Sequence, residues 1–116
     1  MSRDARLFLE DIVACCDKIG RYTLGLVFEQ FRKDDKTLDA VARNLELIGE
    51  ATKRLPEELR KRYQDVPWRR MAGLRDVIVH GYFGIDVQLL WDIVQKDVPA
   101  ARLKVAAILA TEFSSG

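Results

Sequence analysis

Apolar side chains recur every three to four residues along most of this chain, which is the spacing of amphipathic helices. The first stretch with this spacing covers residues 3–20, and Ser2 is a candidate N-cap for it. We expect Gly20 and Gly25 to loosen or kink this helix as it continues towards Phe31.

Further stretches with helical spacing follow a charged connection at residues 32–36. The second helix is expected to start at Thr37 or Asp39. Pro56 either closes that helix or begins a short basic segment. A fourth helix is expected over about residues 67–81, because proline suits the first turn of a helix.

Two more helices complete the pattern. Gly81 and Gly84 are natural terminators of the fourth helix, and Asp86 is a candidate cap for the next one. The segment 97–99 predicts a new start and a final helix over 98–112. Alternating, strand-like runs are scarce, so the chain is predicted to fold as an all-α bundle of about five to six helices.

Composition limits the class of protein. A chain of 116 residues predicts a single domain over 1–116, and 48% hydrophobic with 32% charged residues is typical of a globular protein. No apolar run approaches the roughly 20 residues that a membrane-spanning helix needs. The charged first residues do not resemble a signal peptide. We therefore expect a cytoplasmic protein that makes no membrane contact.

Disulfide and metal chemistry have little support in the sequence. Cys15 and Cys16 are adjacent, and neighbours on a helix point in different directions, so a structural disulfide between them is not expected. The chain has one histidine and no spaced cysteine pair, which argues against a zinc site. The sequence therefore predicts no metal ion and no cofactor.

Charge is unevenly distributed along the chain. The net charge is +1, which gives the whole molecule no broad attraction for nucleic acid. Residues 53–75, however, hold eight basic and three acidic residues, a local charge of +5 that leaves −4 for the remainder. Basic residues such as those at 60–62 usually form a solvated helix face. Trp68 and Trp91 are better interpreted as core residues than as stacking platforms.

The segment LRDVIVHGYFG, residues 74–84, contains the chain's single histidine, His80. Arg75 and Tyr82 are seven residues apart and lie on nearly the same helix face, whereas Asp76 and His80 are four apart and can touch. Arg75 and His80 diverge by about 140° on an ideal helix. They can act together only through arginine's length, through fraying near the helix end, or through a second subunit.

Each of these residues also has an ordinary structural interpretation. His80 can interact with the carbonyls at the end of its helix. Arg75 and Asp76 can form ion pairs on a solvated face, and Tyr82 can be half-buried with its hydroxyl in water. Geometry alone therefore does not identify an enzyme.

A resemblance to a known family favours an enzyme over these structural interpretations. The segment R-D-V-I-V-H-G-Y at 75–82 fits the R-x-x-x-x-H-x-Y signature of HepT-type HEPN-domain toxins. The flanking segments 42–56, 66–86 and 89–100 resemble that family's helices in the same order and spacing. The resemblance covers most of the chain and implies an HEPN-type helical bundle in a single HEPN-like domain.

The resemblance implies a metal-independent endoribonuclease, the toxin of a toxin–antitoxin pair, with Arg75 and His80 as its catalytic residues. The 2′-hydroxyl of RNA attacks the adjacent phosphate, histidine transfers the proton, and arginine stabilises the phosphorane charge. Asp76 is a candidate to orient His80. Such proteins generally form homodimers. Related HEPN nucleases include tRNA-cleaving enzymes, so the resemblance favours tRNA over mRNA as the substrate. Candidates for contacting the RNA backbone are Arg60, Lys61, Arg62, Arg69 and Arg70.

The resemblance also implies a regulatory partner. A cognate MNT-type nucleotidyltransferase antitoxin transfers AMP to the tyrosine of the motif, here Tyr82. An alternative is a non-catalytic helical binding module that partners a nucleotidyltransferase. The presence of both Arg75 and His80 favours the enzyme, because a scaffold does not need both residues.

Overall fold

The computed structural model describes residues 3–81 and 86–113, apart from the side chains of residues 75–81. A π-helical turn at Ile93–Asp97 separates the last two helices. The helices are α1 (Arg3–Thr23), α2 (Phe28–Phe31), α3 (Asp35–Lys53), α4 (Glu57–Arg62), α5 (Trp68–Gly81), α6 (Val87–Asp92) and α7 (Val98–Glu112). No strand occurs within the described residues, and the predicted all-α class is confirmed.

The first helix ends earlier than its sequence pattern suggested. α1 stops at Thr23, whose hydroxyl donates a 2.8 Å hydrogen bond to the carbonyl of Ile19. Gly25 then adopts a φ of +76°, a left-handed conformation that a helix cannot continue through. The prediction of one kinked helix reaching Phe31 is therefore wrong, and Phe31 belongs to the separate turn α2.

The start of α3 also differs from the prediction. Asp34 is its N-cap, because its carboxylate accepts hydrogen bonds from the backbone N–H of Thr37 at 3.1 Å and from the Thr37 hydroxyl at 2.7 Å. These bonds lower the pKa of Asp34. The helix thus begins before Thr37 and Asp39, the predicted starts. Pro56 takes an extended conformation at the N-terminus of α4, so it begins the short basic helix.

The last part of the chain runs as one nearly continuous helical segment. Asp86 caps α6 as predicted, accepting hydrogen bonds from the N–H groups of Gln88 and Leu89 at 3.0 and 3.3 Å. α7 begins at Val98, as predicted, but Asp97 makes no side-chain cap, because its backbone is helical and continues from the π turn. The wide π turn ends two residues before Pro99, which lacks an N–H donor and would crowd a regular α turn.

The core lies between α1, α3, α5 and α7. α3 packs against both α1 and α5, and α1 also packs against α7. Residues with essentially no solvent exposure fill these contacts, among them Leu9, Ile12, Leu45, Ile48 and Val105. α5 is therefore held against the centre of the bundle by its contact with α3.

Two minor expectations concern the membrane and the cysteines. Among the residues that the structure describes, no helix has both the length and the apolar character to cross a bilayer.

Cys15 and Cys16 are free and buried, and burial raises the pKa of Cys16 to about 12. That thiol therefore stays protonated and unreactive at neutral pH.

Candidate functional site

The motif-bearing helix α5 is anchored firmly at its beginning. Trp68 is buried, and its indole Nε1 donates a 2.9 Å hydrogen bond to the carbonyl of Tyr63, just beyond α4. Met71 and Leu74 follow on the same side and are also buried in the core. The interpretation of Trp68 as a core residue is confirmed, and its packing fixes where the rest of α5 begins.

The motif lies on the second half of α5. The helical backbone runs to Gly81, so positions 75, 76 and 80 all belong to α5. The side chains of Arg75, Asp76 and His80 lie outside the described part of the structure, as does Tyr82 altogether. On an ideal helix positions 75 and 80 diverge by about 140°. Joint action of Arg75 and His80 therefore still requires a cleft in which the two side chains converge.

Three of the five basic candidates upstream of the motif already have carboxylate partners. Lys61 pairs with Glu57 at 3.3 Å, one helical turn away. Arg62 pairs with Glu58 at 3.2 Å and with Glu112 at 2.7 Å. Arg70 pairs across the bundle at 2.8 Å with Asp97. The Arg62 contact joins α4 to α7, the Arg70 contact joins α5 to the π turn, and the Lys61 contact lies within α4. Each of the three cations therefore takes part in an ion pair of the fold.

The other two candidates, Arg60 and Arg69, have no acceptor among the described residues. Arg69 is exposed. Arg60 is half-buried, and its Nε is shielded from water without a hydrogen-bond partner. Both line one shallow, open groove between the end of α4 and the start of α5. Its other lining residues are Arg70, which is paired with Asp97, and Gln64, Val66, Pro67 and Trp68.

Tyr63 and Arg62 meet at one acceptor near the end of α7. The Tyr63 hydroxyl donates a 2.6 Å hydrogen bond to Glu112 Oε1, and Arg62 Nη1 donates a 2.7 Å bond to the same oxygen. These bonds lower the pKa of Glu112. Sequence reasoning missed this cluster because Glu112 is 50 residues from Arg62, whereas the pairs within α4 follow from their i,i+4 spacing.

Two other features do not form a nucleotide site. Trp91 is half-buried and packs against the core residue Phe31 with a centroid distance of 4.8 Å, in keeping with its interpretation from the sequence. A cavity of about 80 Å³ lies beside Cys16, Met71 and Ala101. It is much smaller than the pockets of roughly 300 Å³ or more that hold small ligands.

Comparison with known proteins places the chain in a family. Residues 12–108 match the model of the family described as ribonuclease HepT-like. This chain belongs to the HepT-like ribonuclease family. The resemblance inferred from the motif and its flanking helices is thereby confirmed.

Relatives support this HepT-like assignment over most of their length. A protein of Thermococcus cleftensis named a probable ribonuclease HepT is 42% identical over 90% of this chain and 94% of its own. A protein of Methanocaldococcus jannaschii, named as a candidate RNase, is 48% identical over 84% of this chain and 80% of its own. No solved structure matches the chain significantly.

Proposed function

We propose that this HepT-like protein is a metal-independent endoribonuclease that acts in the cytoplasm as the toxin of a toxin–antitoxin pair. Its membership of a ribonuclease family carries the proposal. The presence of both Arg75 and His80 on α5 supports it, because the two residue types supply fixed positive charge and proton transfer near neutral pH. The RNA is a tRNA in preference to an mRNA.

The reaction uses a nucleophile that RNA already contains. The 2′-oxygen forms a bond to the adjacent phosphorus while its proton passes to His80. The bond from phosphorus to the 5′-oxygen breaks, and that oxygen takes up a proton from water. His80 then releases the proton that it received to the solvent. The products are a 2′,3′-cyclic phosphate and a 5′-hydroxyl. Arg75 stabilises the charge that grows on the non-bridging oxygens, and Asp76 orients the imidazole.

Control of this activity is assigned to Tyr82. A cognate MNT-type nucleotidyltransferase positions ATP so that the phenolic oxygen of Tyr82 attacks the α-phosphorus. Pyrophosphate leaves, the phenol loses its proton, and AMP remains on the tyrosine. The added phosphodiester is anionic, so it can pair with Arg75 and occupy the space that the RNA backbone needs.

Substitution of the catalytic pair tests the proposed activity. Arg75→Ala and His80→Ala are each expected to abolish cleavage of purified tRNA and growth inhibition, since each removes one of the two catalytic roles. Arg21→Ala is the matched control, because Arg21 is an exposed arginine on α1, remote in sequence from the motif. Circular dichroism should show unchanged helix content, and EDTA should not inhibit the wild-type protein.

Two results would contradict this proposal. Full cleavage by a folded His80→Ala protein would remove the assigned proton-transfer residue. A strict requirement for a divalent metal would exclude the mechanism while leaving a ribonuclease of another type.

A further inference from the structure

The five basic candidates near the motif differ in how free they are to bind an anion. Lys61, Arg62 and Arg70 each have a carboxylate within 3.3 Å. A phosphate that approached one of them would have to share the cation with that carboxylate. Arg60 and Arg69 have no such competitor among the described residues, so they can bind a phosphate at lower cost.

These two arginines line the same groove, whose third basic residue, Arg70, is paired with Asp97. The exposed Pro67, with the edges of the otherwise buried Val66 and Trp68, gives part of the groove an apolar surface. The exposed Gln64 adds an amide donor and acceptor. Cationic side chains beside an apolar surface suit a single-stranded nucleic acid, whose phosphates need positive charge and whose bases need contact.

Arg60 carries an unmet hydrogen-bonding requirement within this groove. Its Nε–H is buried and has no acceptor, and such a donor destabilises the folded protein. A phosphate group bound to Arg60 would supply acceptor oxygens to its guanidinium group. A phosphate reaches this Nε only if the Arg60 side chain turns towards the groove, which would satisfy the donor and add its charge to that of Arg69.

The groove is in line with the motif along α5. Positions 69 and 80 are eleven residues apart, which on an ideal helix places them within about 20° of each other and about 16.5 Å apart along the axis. Gly73 lies between them on nearly the same face, and a Cβ placed there would meet nothing within 4 Å. A strand of a few nucleotides could thus run from the groove to the motif over this open surface.

We propose that the groove between α4 and α5 is a phosphate-binding subsite for single-stranded RNA, in which Arg60 and Arg69 hold the backbone of the strand whose scissile bond reaches His80. The inference rests on the proposed ribonuclease function and deepens it. It assigns RNA binding to two of the five basic candidates and leaves Lys61, Arg62 and Arg70 to the ion pairs of the fold.

The test measures binding separately from cleavage. Fluorescence anisotropy would follow a labelled single-stranded RNA bound to the full-length His80→Ala protein at several salt concentrations. Arg60→Gln and Arg69→Gln are each expected to weaken binding several-fold and to reduce the slope of log K against log salt by about 0.7, the value for one lost phosphate contact on a single strand. Arg21→Gln on α1 is the charge-matched control.

The variant Lys61→Gln tests whether RNA binding depends on the groove or on the general positive charge of this region. Lys61 neighbours Arg60 in sequence but pairs with Glu57 and does not line the groove, so this change should alter affinity less than Arg60→Gln does. Equal losses for the two variants, or unchanged affinity and slope in folded Arg60→Gln and Arg69→Gln proteins, would overturn the proposal.

A second variant tests the path along α5 without changing charge. Gly73→Leu would project a side chain from the open surface between the groove and the motif, and binding should weaken while the salt slope stays the same. Unchanged binding would exclude this path.

The proposed ribonuclease function can be contradicted without contradicting the proposed groove. A wild-type protein that binds RNA through the groove but leaves it intact would contradict only the ribonuclease proposal.

Discussion

Arg62 and Arg69 carry the same side chain seven residues apart, yet their surroundings differ. Arg62 donates to Glu58 and Glu112, and the hydrogen bond to Glu112 raises the pKa of its guanidinium group. Arg69 is exposed beside an open groove and has no partner among the described residues. The role of an arginine in this protein therefore depends on the acceptor that the fold places beside it.

At the same scale, the proposed control of activity predicts a covalent change at one residue. The wild-type chain, co-expressed with its proposed cognate nucleotidyltransferase, should gain the mass of AMP and lose ribonuclease activity, because the new phosphate competes for Arg75. Tyr82→Phe should keep ribonuclease activity and show no adduct, since it lacks the accepting oxygen. Intact-mass spectrometry measures both proteins.

An adduct that persists in Tyr82→Phe would move the modified site to another residue. A wild-type protein that is inhibited but carries no adduct would leave simple binding as the means of control.

Among the elements, the C-terminal end of α1 shows how local backbone geometry sets a helix boundary. Gly20 lies within the helix, and Gly25 lies two residues past its end with a φ of +76°. Neither position would bring a Cβ within 4 Å of other atoms. The two glycines therefore differ in backbone conformation and not in available space.

This difference predicts opposite effects of one substitution. Gly20→Ala should raise the free energy of unfolding by about 0.5–1 kcal/mol, because alanine loses less backbone freedom in a helix. Gly25→Ala should lower it by about 1–2 kcal/mol, because a residue with a Cβ is strained in the left-handed region. Urea unfolding of both variants measures the changes, and equal effects would contradict the assigned end of α1.

Considered as a whole molecule, the proposed enzyme has to bring together two positions that diverge on one helix. Positions 75 and 80 of α5 diverge by about 140°, so one copy does not present both on a single face. We propose a homodimer in which Arg75 of one copy and His80 of the other line a shared cleft. The second half of α5 would then lie at or beside the interface.

Complementation between inactive variants tests this arrangement. Arg75→Ala and His80→Ala proteins are each expected to be inactive alone, whereas their heterodimer should regain one of its two clefts and cleave RNA. Co-purification with two different affinity tags would isolate the heterodimer for the assay. An inactive heterodimer, or a monomer that cleaves RNA at micromolar concentration, would exclude the shared cleft.

The sequence by itself determined the helical class, several boundaries and the family. The fourth and last helices, predicted at about 67–81 and 98–112, occur at Trp68–Gly81 and Val98–Glu112. Asp86 caps α6 as expected. These features depend on apolar spacing and on contacts within one or two turns, which can be recognised in a short stretch of sequence. The motif and its flanking helices also indicated the HepT-like family before any comparison.

Only the tertiary structure decided features that depend on distant contacts or on one backbone torsion. Asp97, expected to begin a helix after a break, instead ends a π turn in a nearly continuous helical segment. Val98 and Ala101, which follow it, are buried in the core. Asp97 and Glu112 became partners of Arg70 and Arg62, which are 27 and 50 residues away, respectively. A sequence shows how many charges it has, but packing determines which charges meet, and this packing left Arg60 and Arg69 without carboxylate partners among the described residues.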